Sequence, residues 1–441
     1  MEITLIDNAT VSNPETVAML MALYSRSNLS IKNRLQSLGE NEAQIQESLK
    51  KYYLGYGHAS IGDCGDASIF FEGLSMLAAK ALEDNSLFNG QESSSRYINF
   101  GSQPCIDPLN SKQSSNIQRE WIGFYNYISI QVNEHLRTLF PIQSNQSEQI
   151  YYNAINAKTF DICRAFLPAG VTTQVGVKMT FRSLLDHIWK LEQHPTLEVR
   201  SIAKQSLAKL IQQYPSTFKE CSETNKLYYS KFSEKEFFLE NSEIINTYYV
   251  DIKDNFNQDL IATIIKDQEI IYSRPKGQSL PSYYNSFGTM KINYTLDFGS
   301  WRDIQRHRNT LINKCTTLSD NPYFNFDYIT CLPQELKDKI YTFIDKQYKE
   351  IKNLNCESKY ELAYYYPLGN YVNAQLVLTF PELLYILELR SSKSVHFTLR
   401  DLINRIYNQL KQKYFVFHNY IDTSEIEFYY NRGNQTIFKK D

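Results

Sequence analysis

Two short stretches concentrate the side chains that could do chemistry. Gln91 to Tyr97 reads Gln-Glu-Ser-Ser-Ser-Arg-Tyr and packs a carboxylate, three serine hydroxyls and a guanidinium into seven residues. Such density suits a planar, multiply hydrogen-bonding ligand or a phosphate, the arginine supplying a fork and the hydroxyls donating or accepting. A solvated serine-rich turn has the same composition, because serine bonds readily to its own backbone. Arg306-His307-Arg308 is the second concentration. Three neighbours able to carry positive charge repel one another and favour a bound anion such as phosphate, with a solvated basic turn as the alternative.

The frame that must hold these stretches is a long, folded chain. Its 441 residues allow two or three domains, and 42% apolar content with 14% aromatic is enough for a substantial core. Net charge is -2, which points to neither a nucleic-acid nor a membrane-surface partner, so any anion site must be local. The seven cysteines are scattered without Cys-x-x-Cys or a Cys/His zinc spacing, and read as free thiols in a reducing compartment; no metal is expected. The N-terminus has no basic or apolar leader pattern and no run approaches a membrane span, so the expectation is a soluble, cytoplasmic protein.

In chain order, Ile3 to Ile6 can open as a strand, and Asn13-Pro14 caps and starts a helix through Leu23. A second helix is expected at about 42–53, a glycine-broken loop at Gly55 to Asp63, a strand at Ala67 to Phe71 and an apolar helix from Leu74 to Leu82. Residues 101–116 read as a linker, followed by helices at about 117–139, 149–166, 181–191 and 197–212. The polar stretch after Tyr214 marks a boundary, giving domains at 1–213 and 240–441 joined by 214–239.

The second half repeats the first. Sliding by 199 residues sets Pro168 on Pro367, Gly170 on Gly369, Thr180 on Thr379, Phe181 on Phe380, Leu184 on Leu383 and Leu185 on Leu384, and a charged helix at about 396–410 follows in register. Repetition at so long a period marks duplicated domains, not solenoid units. One helical face that reads Leu184, Leu185, Ile188, Leu191 in the first half becomes Leu383, Leu384, Leu387, Arg390 in the second. Burying an unpaired guanidinium is costly, so Arg390 needs an anionic or hydrogen-bonding partner or a wet cleft, unless it snorkels from the helix end.

These motifs resemble the flavin-dependent thymidylate synthases, whose signature joins Arg-His-Arg to Glu-x-Ser-x-Arg-Tyr behind an upstream Gly-His loop. The first half has Gly57-His58 and a complete Glu92-x-Ser94-x-Arg96-Tyr97, but Asp84-Asn85-Ser86 where Arg-His-Arg should stand. The second half has Arg306-His307-Arg308, but Lys314-x-Thr316-x-Leu318-Ser319 downstream. A family arginine ahead of the Leu-Pro turn matches Arg164 and is lost at Ala363, whereas one after that turn is lost at Leu191 and matches Arg390. Each half keeps what the other has lost.

The resemblance implies an α+β fold in two tandem copies, each a small, mainly antiparallel sheet flanked by helices, in a chain that dimerises to mimic the family's tetramer. It implies FAD held by His58, Ser60, Arg306, His307 and Arg308, and a pyrimidine nucleotide held by Glu92, Ser94, Arg96, Arg164, Asp303, Arg306 and Arg390. Arg390 and Arg96 would carry the catalytic role, Arg390 stabilising charge that develops on the ring. NADPH would be the reductant and methylenetetrahydrofolate the one-carbon source for methyl transfer to C5 of deoxyuridine monophosphate. Asp303 stands where the family has a glutamine, and an acid in place of an amide changes hydrogen-bond polarity. A cytosine nucleotide, or a non-catalytic nucleotide-binding relic, are the alternatives.

Overall fold

The computed structural model describes residues 13–26, 28–38, 59–231, 233–240 and 248–435, together with Glu47. The expected strand at Ile3 to Ile6, nearly all of the helix at 42–53, and His58 lie outside the described residues. The described residues fall into two compact units, one within Met1–Glu72, Ala81–Glu92 and Gln174–Phe237, the other within Gly73–Lys80, Ser93–Thr173 and Phe238–Asp441. Among them no helix is long and apolar enough to cross a membrane.

The principal elements of the first half are α1 (Pro14–Tyr24), β1 (Asp66–Ser75), α2 (Met76–Glu83), β2 (Asn89–Glu92), α3 (Lys112–Leu139), α4 (Glu148–Cys163), β3 (Thr172–Thr180), α5 (Phe181–Leu191) and α6 (Leu197–Gln213). Asn13 caps α1 by accepting from the Glu15 N–H at 2.9 Å, with Pro14 filling a position that needs no N–H. Strand β1 runs further than expected. Leu74 belongs to the strand, and the helix starts only where the Ser75 hydroxyl accepts from the Ala78 N–H. The sheet order is β1-β3-β2, with Asn89 to Glu92 of β2 running antiparallel to Val175 to Lys178 of β3. Helix α5 buries the expected stripe of Leu184, Leu185, Ile188 and Leu191.

The second half supplies β4 (Val250–Phe256), β5 (Gly288–Asp297), α7 (Phe298–Gln305), β6 (Ile312–Cys315), α8 (Gln334–Lys352), β7 (Tyr371–Leu378), α9 (Phe380–Arg390) and α10 (Phe397–Leu410). Its sheet runs β4-β5-β7-β6, entirely antiparallel, with Met290 to Asp297 registered on Leu378 to Tyr371. The order β5-β7-β6 repeats β1-β3-β2, and the strand-helix-strand succession around it repeats as well. The protein is thus a mixed helix and sheet fold with two small antiparallel sheets.

The segment expected as a linker at 101–116 is tied down. Helix α3 begins at Lys112, earlier than expected, because Ser111 and Ser114 form a reciprocal capping box. Asp107 accepts from Ser114 at 2.9 Å, Ser115 at 2.6 Å and the Tyr365 hydroxyl at 2.5 Å. Helices α3 and α8 pack in the core of the second unit, where Phe124 stacks on Phe343 at 3.8 Å between ring centroids.

Beside them the two Pro-x-Gly turns, Pro168 to Gly170 and Pro367 to Gly369, cross. The Ala169 N–H donates to the Tyr366 carbonyl and the Leu368 N–H to the Leu167 carbonyl, each at 2.8 Å. The Gly170 N–H donates to Tyr364 and the Gly369 N–H to Ala165, at 2.8 and 3.0 Å. Each bond is the partner of the other under the 199-residue shift, which is the reciprocity of a two-fold interface. Glycine is needed at both crossings: a Cβ on Gly170 would lie 2.9 Å from the Tyr364 carbonyl oxygen, and one on Gly369 would lie 2.9 Å from that of Ala165.

Candidate functional site: an arginine cluster around Asp303

Helix α7 starts on a buried carboxylate. Asp297 caps it by accepting from the Ser300 N–H at 2.8 Å, and also takes the Tyr328 hydroxyl at 2.5 Å and the Thr398 hydroxyl at 2.6 Å. One turn into the helix, Ser300 Oγ accepts from Arg164 Nη2 at 2.8 Å and lies 3.1 Å from His396 Nδ1. His396 Nε2 meets the Asp161 carbonyl at 3.0 Å, so Nε2 carries the proton and Nδ1 accepts. Burial, with Arg164 nearby, holds His396 neutral by pushing its pKa well below the usual histidine value. This network fixes Arg164, whose side chain is 3% exposed.

Helix α7 then presents Asp303 and ends in Arg306 as its C-terminal cap. The Asp303 side chain is 14% exposed and lies 4.0 Å from Arg164 Nη1. Burial alone would raise its pKa, but the guanidiniums of Arg96, Arg164, Arg390 and Arg306 hold it down at about 2. Arg390, the last residue of α9, donates from Nε to His307 Nε2 at 2.8 Å and from Nη2 to the Asp303 carbonyl at 2.6 Å. A cation in the last helical turn also suits the helix dipole. The arginine that replaced a core leucine therefore has a hydrogen-bond-rich setting.

Arg96 leaves the turn after β2, where the Ser94 carbonyl accepts from Tyr97 and Ile98 and the Ser94 hydroxyl accepts from the Arg96 N–H at 3.3 Å. Its guanidinium forks onto Asp161 of α4 at 2.7 and 3.0 Å and reaches the Ser394 carbonyl at 3.0 Å. Arg432, from a C-terminal turn, forks onto the same carboxylate and lies over the Tyr97 ring at 5.1 Å. Burial opposes the Asp161 charge, yet Arg432 and Arg96 together hold it well below the usual carboxylate range.

Arg96, Arg164, Asp303, Arg306, His307 and Arg390 thus belong to one neighbourhood of the second unit, although the first two come from the first half of the chain and the rest from the second. Five guanidiniums, counting Arg432, face the carboxylates of Asp161, Asp297 and Asp303, and the surplus positive charge suits an anion. Arg306 is exposed and Arg308 half-buried, whereas His307 turns inward against Arg390. Ser60, on an exposed turn, and Glu92, at the end of β2 opposite Val175, lie in the first unit.

Sequence reasoning missed Asp161, Asp297, Ser300, His396 and Arg432. A signal for one of them exists: His-x-Thr stands at the start of both α6 and α10, with His194 Nδ1 at 2.9 Å from Thr196 Oγ1 and His396 Nδ1 at 2.8 Å from Thr398 Oγ1.

The role of His307 gives a measurable consequence. Burial, reinforced by Arg390, pushes its pKa down to about 3, and accepting from Arg390 Nε leaves the proton on Nδ1. Nitrogen-15 NMR of the imidazoles should show His307 as a neutral Nδ1–H tautomer with no titration between about pH 5 and 8, where an unperturbed histidine changes charge. Titration near pH 6.5 would contradict this geometry.

Residues 4–216 match the family model described as thymidylate synthase complementing protein. A UPF0159 protein of Chlamydia pneumoniae is 23% identical across 90% of this chain and 85% of its own length, and one of Thermoplasma acidophilum is 23% identical across 89% and 92%. A flavin-dependent thymidylate synthase of Corynebacterium efficiens is 23% identical across 38% of this chain and 66% of its own. Residues 4–216, just under half of the chain and carrying Arg96, Asp161 and Arg164, are thus similar to the flavin-dependent thymidylate synthase family.

Proposed function

We propose that the chain is a tandem duplicate with one composite site, and that it transfers a one-carbon unit to C5 of a pyrimidine deoxynucleotide with the help of a flavin. The observation that carries this reading is the convergence of Arg96 and Arg164 with Arg306 and Arg390 around Asp303. Neutral drift gives no reason for opposite halves of a motif to survive in opposite halves of a chain and then share one neighbourhood. The crossing of the two Pro-x-Gly turns supports the duplication, since its bonds repeat under the same 199-residue shift.

The exposed Arg306 and half-buried Arg308 fit the phosphates of FAD, while His307, being turned inward, serves Arg390 instead. Bound FAD, reduced by NADPH, would supply hydride, with methylenetetrahydrofolate as the one-carbon donor. The chain's own part is binding and electrostatics. The Nη1 groups of Arg96 and Arg390 make no hydrogen bond among the described residues and can donate to a ligand. Arg390, held at two of its three nitrogens, presents a fixed positive charge to a ring that becomes negative during the reaction. Ser300 and His396 keep Arg164 oriented toward the nucleotide's phosphate.

The test is the visible spectrum of the protein after incubation with FAD and gel filtration, with and without pyrimidine nucleotide. A retained flavin band that shifts on adding nucleotide is the expected result, and a colourless protein under both conditions would sink the reading. A second expectation concerns stoichiometry. The counterparts of Arg96, Arg164, Asp303 and Arg390 in the opposite halves are Leu318, Ala363, Ala81 and Leu191, all apolar and at most 2% exposed. Equilibrium dialysis should therefore find one nucleotide per chain, and two equivalent sites would refute the composite arrangement. Pairing of two chains, as the family's tetramer suggests, belongs to the same proposal.

A further inference from the structure

Asp303 is surrounded by arginines, yet none of them closes on its carboxylate. Oδ2 is buried with no hydrogen-bond partner, and the shortest contact to a cation is the 4.0 Å to Arg164 Nη1. Three of the neighbouring guanidiniums are held by other acceptors. Arg164 donates to Ser300 Oγ, Arg96 forks onto Asp161 and reaches the Ser394 carbonyl, and Arg390 is shared between His307 and the Asp303 backbone carbonyl. The carboxylate is thus kept ionised by charge at a distance while its lone pairs are left open. An ionised carboxylate only accepts, and a buried acceptor without a donor is unfavourable. The arginines ask for negative charge in a ligand, and Asp303 asks for a donor in the same ligand.

A phosphate alone cannot meet both demands, because it would set lone pairs against the carboxylate. Uracil offers one ring donor, N3–H, flanked on either side by a carbonyl oxygen, so a carboxylate that accepts from it sets its other oxygen against a lone pair. Cytosine offers an exocyclic amine at its edge, a group that Asp and Glu carboxylates accept from in nucleic-acid recognition. Resting on the nucleotide reading above, we infer that Asp303 is a specificity-determining residue and that the preferred substrate is a deoxynucleotide whose base presents an amine, a cytosine-type nucleotide, in place of uracil's carbonyl.

The experiment is isothermal titration of the full-length, flavin-loaded protein with deoxycytidine monophosphate and with deoxyuridine monophosphate, repeated on Asp303→Asn. The expected result is binding of the cytidine nucleotide tighter by roughly ten-fold or more. Asparagine can present either an oxygen or an amide N–H, so in the variant the gap should narrow to within about three-fold. Equal or tighter binding of the uridine nucleotide by the unmodified protein overturns the inference while leaving the nucleotide site intact. So does a cytidine preference that Asp303→Asn leaves unchanged. Failure of both nucleotides to bind overturns the nucleotide reading itself, and so separates the two failures.

Discussion

Asp161→Asn should cost about 3–5 kcal/mol of stability, measured by urea unfolding, because it leaves the buried Arg432 and the largely buried Arg96 without their counter-ion. Asp161 is 5% exposed and Arg432 is 7% exposed, so water cannot take the place of the lost charge. Asparagine keeps the shape and one acceptor oxygen, but turns the other into an amide donor that faces N–H groups. Arg432→Met should cost less, since Arg96 still forks onto Asp161 and the carboxylate keeps one full partner.

The pH dependence follows from the direction of the shift. The folded pKa of Asp161 lies far below the unfolded value of about 3.9, so its stabilisation is fully present above that value and is lost as pH falls toward the folded pKa. Asp303 acts in the same direction. The stability gap between the unmodified protein and Asp161→Asn should stay constant above about pH 5 and shrink below about pH 4. A gap that persists unchanged at pH 3 would mean that shape, not charge, holds the two arginines.

What could be read from the chain, and what could not, follows the range of the interactions. Helix α5 was legible to the residue because its apolar stripe is a local signal, and Arg390 was legible because it broke a stripe that the other half keeps. The start of α3 was missed because the capping box uses Ser114 where glutamate or glutamine is the usual signal. The site itself was half legible. Arg96, Arg164, Arg306 and Arg390 could be named from motif fragments, but Asp161 sits in an ordinary helix and its partner Arg432 is 271 residues away. Nothing in local composition announces such a pair. The Ser300-His396-Asp297 network is hidden for the same reason: each member is an unremarked polar residue until the fold removes water from around it. The inward turn of His307 was equally invisible, since Arg-His-Arg on paper gives all three side chains the same claim on a ligand.

Arg390→Lys should slow nucleotide-dependent oxidation of the reduced flavin by about 10²–10³-fold, read in anaerobic single-turnover experiments with the one-carbon donor present. The charge is kept in this variant; the geometry is not. Arg390 uses Nε on His307 and Nη2 on the Asp303 carbonyl, which leaves Nη1 for the ring of the substrate. A lysine has one nitrogen on a flexible stem, so either it satisfies those acceptors or it turns to the substrate. The partner substitution separates charge from position. His307→Gln can still offer an acceptor oxygen to Arg390 Nε and should keep the rate within about ten-fold, whereas His307→Leu removes the acceptor and should approach the loss seen for Arg390→Lys. Because His307 is neutral in the folded protein, neither substitution alters the local charge, and a difference between them reports the aim of the guanidinium alone. Nucleotide affinity should change much less than the rate in Arg390→Lys, since the phosphate is assigned to Arg164 and charge at Arg390 is needed most when the ring becomes negative. A variant that loses affinity and rate in equal proportion would move Arg390 from the reacting ring to the phosphate, and with it the orientation of the nucleotide in the site.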